Sequence, residues 1–214
     1  MPSMADRANE FSWSRSRDAA FHDCRRRYFY QYYGAWGGWE ATAPDETRRL
    51  YLLKQLATRQ MWAGRVVHEA IEMALHAFRQ GRNIPVEPFI ADVIERMRGE
   101  WRQSRAGLYR ESPKSPALFE HEYAVPVTRE NWQAVSRNVA TCLRHFFRLP
   151  LLAIIRRSER EHWSIEHWSK TFEFEGTPVW MAPDFGFWTA DGRLALVDWK
   201  TGATDPDSTA FQLG

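Results

Sequence analysis

Lysine is scarce in this chain: of its 29 basic residues only Lys54, Lys114, Lys170 and Lys200 are lysine, and the rest are arginine. Cysteine is scarcer still. Cys24 and Cys142 stand alone without CxxC spacing, so neither a disulfide framework nor a zinc site can be built from this chain by itself, and a reducing, cytoplasmic setting is expected. No apolar run approaches the roughly 18 residues a membrane helix needs. The opening MPSMADRANEFSWSRSRD has no apolar signal core, so no membrane partner is expected. Internal repeats and low-complexity tracts are missing too. Net charge is nearly absent at +2, with a pI near 8.6, so any argument for a nucleic-acid partner must rest on local clustering.

What is present is enough chain, at 214 residues, for one ordinary domain with a real core, and an unusual share of aromatics, 14%, including eleven Trp. We read 1–214 as a single domain, with a helical region over about 14–160 and a sheet and active-site core over about 161–214. The spacing predicts a helix from Ser14 to Gly34, then a long helix from about Asp45 to about Gln80. Two amphipathic packing helices follow. One sets Phe89, Val93, Met97 and Trp101 on one face, and the other aligns Trp132, Val135, Val139, Cys142 and Phe146.

After about Trp163 the period changes from helical to alternating, and Glu175-Gly176 and Asp191-Gly192 are hairpin turn signals, so three antiparallel strands are expected. DPDSTAFQLG then reads as the start of a helix capped by Asp207 or Ser208. The fold class is α/β, and the C-terminal end of the fold is expected to be missing, since three strands want a further element to cover them.

The lysine pattern leads to the chemistry. Lys200 closes an apolar run two residues after Asp198, on the same side of the strand and roughly 7 Å along it. Antiparallel pairing can bring Asp184 close to Asp198 if the register allows. Two carboxylates forced together repel unless a cation lies between them, which makes the pair a candidate site for a divalent metal. Such a metal polarises a phosphoryl oxygen and acidifies a bound water, and a neighbouring lysine compensates charge on a phosphate: this is the equipment of phosphodiester hydrolysis. Alone, the D-x-K triplet fits a structural ion pair on an exposed strand equally well. His68 shares a helical stripe with Ile71, Leu75 and Phe78 and so points inward; by itself it reads as a hydrogen-bonded core residue.

The wider pattern is more specific. PD, thirteen residues, then DWK followed by TG resembles the PD-(D/E)XK nuclease superfamily, and its RecB-like branch in particular. GRVVHEAIE is similar to that branch's G-x-x-x-H helix motif at Gly64 and His68, AFHDCRRRYFYQYYG to its F-x-x-C-x-R-x-Y-x-x-x-Y helix, and FQLG to the helix opening that places Gln212. The resemblance implies a restriction-endonuclease-like core of helix, three antiparallel strands and helix, with a mainly helical N-terminal part. It also implies a metal-dependent deoxyribonuclease, an exonuclease rather than an endonuclease, acting in repair, recombination or defence beside a helicase or other partner.

By the same resemblance Asp184, Asp198, Lys200 and Gln212 are catalytic, and His68, Asp184, Asp198 and the carbonyl of Trp199 are metal ligands. Carboxylates and water favour Mg²⁺ or Mn²⁺, and an imidazole shifts the preference toward Mn²⁺. Arg25, Arg26, Arg27 and Tyr28 are candidate DNA contacts, against a reading in which the aromatics are core and the arginines solvated. In iron–sulfur members of the branch a cysteine at the place of Cys24 joins three more beyond the nuclease core. With only Cys142 besides, a [4Fe-4S] cluster is not expected in this chain. The competing reading is a catalytically idle DNA-binding or assembly module that keeps the nuclease fold.

Overall fold

The structure, a computed structural model, describes residues 9–165 and 170–202. The expected helix start at Asp207 or Ser208 and the position of Gln212 lie outside the described residues.

β1 (Trp13–Ser14) leads into α1 (Arg15–Asp23), whose N-cap is Ser14, its Oγ accepting from Arg17 N at 3.2 Å. The helix expected to run to Gly34 is interrupted at Cys24. Its extended backbone (φ −160°, ψ 110°) ends α1, and its Sγ accepts from Arg27 N at 3.4 Å to begin α2 (Arg25–Phe29), which passes into a π turn, Tyr30–Gly34.

The long helix expected from Asp45 to Gln80 is two helices, α3 (Asp45–Gln55) and α4 (Arg59–Arg79). Ala57, between them, is drawn into a parallel bridge with Leu118: its N–H donates to Ala117 O at 3.0 Å, and its carbonyl accepts from Phe119 N at 2.9 Å. Backbone pairing with a distant segment thus outweighs local helical propensity. Thr58 then caps α4 by accepting from Met61 N at 3.3 Å.

α4 is the central helix. It packs on α5 (Val86–Arg105) and α7 (Arg129–Arg148), with Val66, Ala70, Ala74, Leu75, Met97, Val139 and Leu143 essentially free of solvent contact. The two expected packing faces are there: Val93, Met97, Val139 and Phe146 are buried, while Phe89, Trp101, Trp132, Val135 and Cys142 pack at the edges. A short α6 (Phe119–Glu122) and α8 (Pro150–Arg157) complete the helical part. No single helix among the described residues is long and apolar enough to cross a membrane.

The strand region holds more than the expected three strands, and it is split. β2 (Lys170–Phe174) and β3 (Thr177–Met181) form a hairpin, which β1 joins parallel to β3; β4 (Phe185–Trp188) and β5 (Leu194–Val197) form a second, separate antiparallel pair. The first hairpin turns at Glu175 and Gly176, both at left-handed φ (47° and 73°), which suits a two-residue loop. The chain leaves the ladder at Ala182 to Asp184, so Asp184 sits in a bend before β4 rather than within a middle strand. β4 is the buried strand, flanked by β5 on one side and by Ser164 on the other, where Ser164 and Gly186 exchange hydrogen bonds of 2.8 and 2.9 Å. Phe185 and Phe187 anchor it in the core, with the Phe185 ring edge-on to Trp163 at 5.8 Å.

Candidate active site

The β4–β5 register sets the site. Phe185 pairs with Val197 at the end of the ladder, and Asp184 and Asp198 each stand one residue beyond that pair. Two residues further on, past the end of β5, the Lys200 ammonium touches Asp198 Oδ2. The third charged group comes from α4. His68 Nδ1 lies 3.1 Å from Asp184 Oδ1, across 116 residues of chain. The other Asp184 oxygen, Oδ2, accepts from the Trp199 backbone N–H at 2.6 Å. Trp199 is itself braced by the Phe146 ring, edge-on at 5.5 Å. Gly64, one turn before His68, faces Thr201: a Cβ built on Gly64 would lie 3.5 Å from Thr201 Oγ1. Helix α4 thus runs close to the segment that follows β5.

The carboxylates are the more sheltered members of this group, with side chains 17% exposed for Asp184 and 13% for Asp198, against 30% for His68 and 39% for Lys200. The hydrogen bond to Asp184 raises the His68 pKa above the usual imidazole range; burial opposes the shift, and the charges of Asp184 and Asp198 add to it. For Asp184, burial pushes the carboxyl up, but the hydrogen bonds from His68 and from the Trp199 N–H outweigh it and hold the group below its ordinary value. With Asp184 ionised, His68 donates to it through Nδ1–H.

Four of the residues singled out from the sequence, His68, Asp184, Asp198 and Lys200, are therefore brought together with the Trp199 backbone, whose N–H donates to Asp184 and which also hydrogen-bonds His68. Among the described residues no group of three or more His, Cys, Asp and Glu side chains stands in a metal-binding arrangement. The donor chemistry nevertheless fits a hard cation. Asp198 Oδ2 is buried, and Lys200 touches it without aligning a hydrogen bond on it among the described residues. Each Asp184 oxygen, holding one donor, retains a second lone pair.

The α1–α2 residues stand apart in role. Tyr28 is buried at 8% exposure and in ring contact with Trp13, Phe21, Tyr32 and Tyr33, the packing that the alternative reading of this segment expects. Arg25 and Arg26 are exposed and lie over the Phe21 and Tyr30 rings at 5.3 and 5.7 Å, and Arg27 is tied to Asp23 at 2.9 Å. Cys24 and Cys142 are free thiols, exposed and half-buried respectively. Glu69 pairs with Arg65 and Arg96, and Glu72 with His76.

The sequence reading passed over Glu100, which accepts from both Trp62 Nε1 and Arg65, each at 2.7 Å, and so locks α5 to the first turns of α4. It also passed over Arg98, Arg102 and Arg105, which flank Trp101 on α5. Their spacing of three, four and seven residues is a helical stripe that a search for charge periodicity would have found.

A family model described as the PD-(D/E)XK nuclease superfamily matches residues 12–214. No curated protein and no solved structure matches the chain.

Proposed function

Because the chain belongs to the PD-(D/E)XK nuclease superfamily, whose members are generally nucleases, we propose that it is a metal-dependent deoxyribonuclease that hydrolyses phosphodiester bonds. The observation that carries this reading is the meeting of four groups just beyond the end of the β4–β5 ladder, where His68 reaches Asp184 from α4 and Lys200 touches Asp198.

In this reading Asp184 and Asp198 hold Mg²⁺ or Mn²⁺, His68 and the Trp199 carbonyl complete or orient the site, and Gln212 helps to position one of these groups. When bound, the ion supplies Lewis acidity toward a phosphoryl oxygen and toward water. The rest falls to the protein's own groups. Lys200, kept beside Asp198, presents its ammonium to the attacking water or to the phosphate oxygen that gains charge. His68 holds Asp184 ionised through its hydrogen bond, and the Trp199 N–H keeps that carboxylate turned toward Asp198. Arg25 and Arg26, exposed and without a carboxylate partner among the described residues, contribute to holding the DNA backbone. The RecB-like motifs favour an exonuclease working in repair, recombination or defence, beside a helicase or similar partner.

One observation favours the competing reading of an idle DNA-binding module: both oxygens of Asp184 are already engaged, by His68 and by Trp199. Incubation of the protein with labelled single-stranded and duplex DNA, in Mn²⁺ and in EDTA, separates the two. Cleavage in Mn²⁺ that EDTA abolishes is expected. Binding without cleavage under every condition would leave the idle module.

A further inference from the structure

A concavity of about 950 Å³ lies between α5 and α7 and is closed on one side by α6. That volume sits at the upper end of the roughly 300–1,000 Å³ usual for ligand pockets. Its floor is aromatic. Trp101, His121 and Trp132 pack against one another with ring centroids 5.3 to 6.0 Å apart. Its rim is cationic. Arg98, Arg102 and Arg105 come from a stripe on α5, and Arg129 and Arg137 face them from α7; no Asp or Glu is among the described residues that line the space.

Glu95 pairs with Arg98 and Arg102, at 2.9 and 3.1 Å, and so neutralises part of this charge. Arg105, Arg129 and Arg137 have no carboxylate within ion-pair distance among the described residues, and Arg105 lies over the Trp101 ring at 5.1 Å. Two stripes of one sign facing each other across a gap repel, and an anion between them relieves that repulsion. A simple anion would need only the charge. The aromatic floor adds a flat apolar surface, and Trp101 Nε1 is buried with no acceptor among the described residues, an N–H left over for a ligand oxygen.

We propose that this concavity is a binding site for a nucleotide unit of a single strand, with its phosphates held by Arg105, Arg129 and Arg137 and its base set against Trp101 and Trp132. The choice of a nucleic acid rests on the nuclease reading; the anionic and aromatic character of the ligand rests on the cavity alone. Guanidinium groups recognise phosphate oxygens, and stacking on aromatic rings accepts any base, so the site is sequence-tolerant.

The test is fluorescence anisotropy of a labelled oligothymidine strand titrated with full-length protein in EDTA, where no cleavage occurs, over a series of KCl concentrations. Replacing Arg129→Ala and Arg137→Ala together is expected to weaken binding on the order of tenfold at low salt. The slope of log K against log salt should fall by about 1.4, at about 0.7 per phosphate contact on a single strand. Arg129→Lys with Arg137→Lys, which keeps the charge, is expected to restore most of the slope.

Binding and slope equal to wild type in the alanine pair would overturn the proposal. So would an equal loss from Arg144→Ala with Arg148→Ala, the same charge change at the far end of α7, because general electrostatics would then account for the effect. Displacement of the strand by dTMP assigns the cavity to a single nucleotide, and displacement only by a longer strand assigns it to a run of them; either supports the proposal. Cleavage in Mn²⁺ is scored separately on wild type and Asp198→Ala, so a failed nuclease reading is distinguishable from a failed cavity.

Discussion

The acid, histidine and lysine cluster and the arginine-rimmed concavity draw on the same helix yet gather opposite chemistry. α4 supplies His68 to one and Trp62 to the lining of the other, six residues apart and so about 9 Å along the helix axis. In the cluster the carboxylates are sheltered, and each has a partner: Asp184 takes His68 and the Trp199 N–H, and Asp198 takes Lys200. In the concavity the arginines are exposed, three of them without a carboxylate among the described residues, and it is the aromatic rings that are sheltered. The difference follows from desolvation. A charge removed from water needs a partner, whereas a charge left at a rim can stand beside others of its own sign at modest cost.

The contrast breaks most sharply if charge is taken from the cluster. Asp198→Ala or Lys200→Ala is expected to lower the Mn²⁺-dependent cleavage rate by a factor on the order of 10² or more, while strand binding in EDTA stays at the wild-type value. Single-turnover cleavage and anisotropy on the same preparations check both halves. A cluster variant that loses binding as well would mean that the two sites are not separable.

His68→Ala acts one bond further out. It is expected to slow cleavage by about 10- to 100-fold and to move the Mn²⁺ midpoint to higher concentration. An unchanged midpoint would leave His68 as a packing residue of α4.

On the concavity side, the Tyr109 hydroxyl donates to Glu122, which Arg110 also holds at 2.8 Å, and this tie fixes α6 and with it His121 in the cavity wall. Tyr109→Phe is expected to cost about 1.5–3 kcal/mol at neutral pH, since the lost hydrogen bond is to a charged group. The Tyr109 hydroxyl, with Arg110 adding to it, holds the Glu122 carboxyl below the usual range. That stabilisation is complete above the ordinary glutamate pKa of about 4.3 and is lost as pH falls through the lower folded value. Burial first, and then Glu122, push the Tyr109 phenol up to about 12. This contribution fades as pH rises from the ordinary tyrosine value of about 10. Urea melts across pH should therefore show the difference between wild type and Tyr109→Phe on a plateau between these limits and shrinking on both sides.

The smallest effect belongs to Gly64→Ala. The added methyl meets Thr201 Oγ1 at 3.5 Å, an ordinary contact, so helix propensity should dominate and raise stability by up to about 1 kcal/mol. A lowered melting temperature would show instead that the approach of α4 to Thr201 tolerates no side chain.

Much of this was legible before any coordinates. Both hairpin turns fall where Glu175-Gly176 and Asp191-Gly192 mark them, and the buried faces of α5 and α7 follow the predicted stripes. The misreadings were places where distant groups decide a local matter. Nothing near Ala57 announces that it will bridge to Leu118, and Thr58, a good cap residue, was hidden inside a pattern that stayed helical on both sides. Cys24 is a weak capping residue on propensity alone, yet its sulfur starts α2. Through Asp184 the stretch PVWMAPDFGFW keeps alternating, yet the pairing partner changes from β2 to β5 part-way along and the chain bends there.

By itself, the sequence determined what is periodic and local: helical stripes, strand alternation and glycine turns. The strand expected to carry Asp198 and Lys200 ends at Val197, and their contact is made in the segment beyond it. Only the tertiary structure decided which groups meet. His68 reaches Asp184 across 116 residues, and Trp199 turns its N–H rather than its carbonyl to that carboxylate. The two arginine stripes come to face one cavity because α5 and α7 bury their apolar faces side by side. Burial of apolar surface drives those encounters, and it is non-directional, so the chain alone does not say which faces will end up opposed.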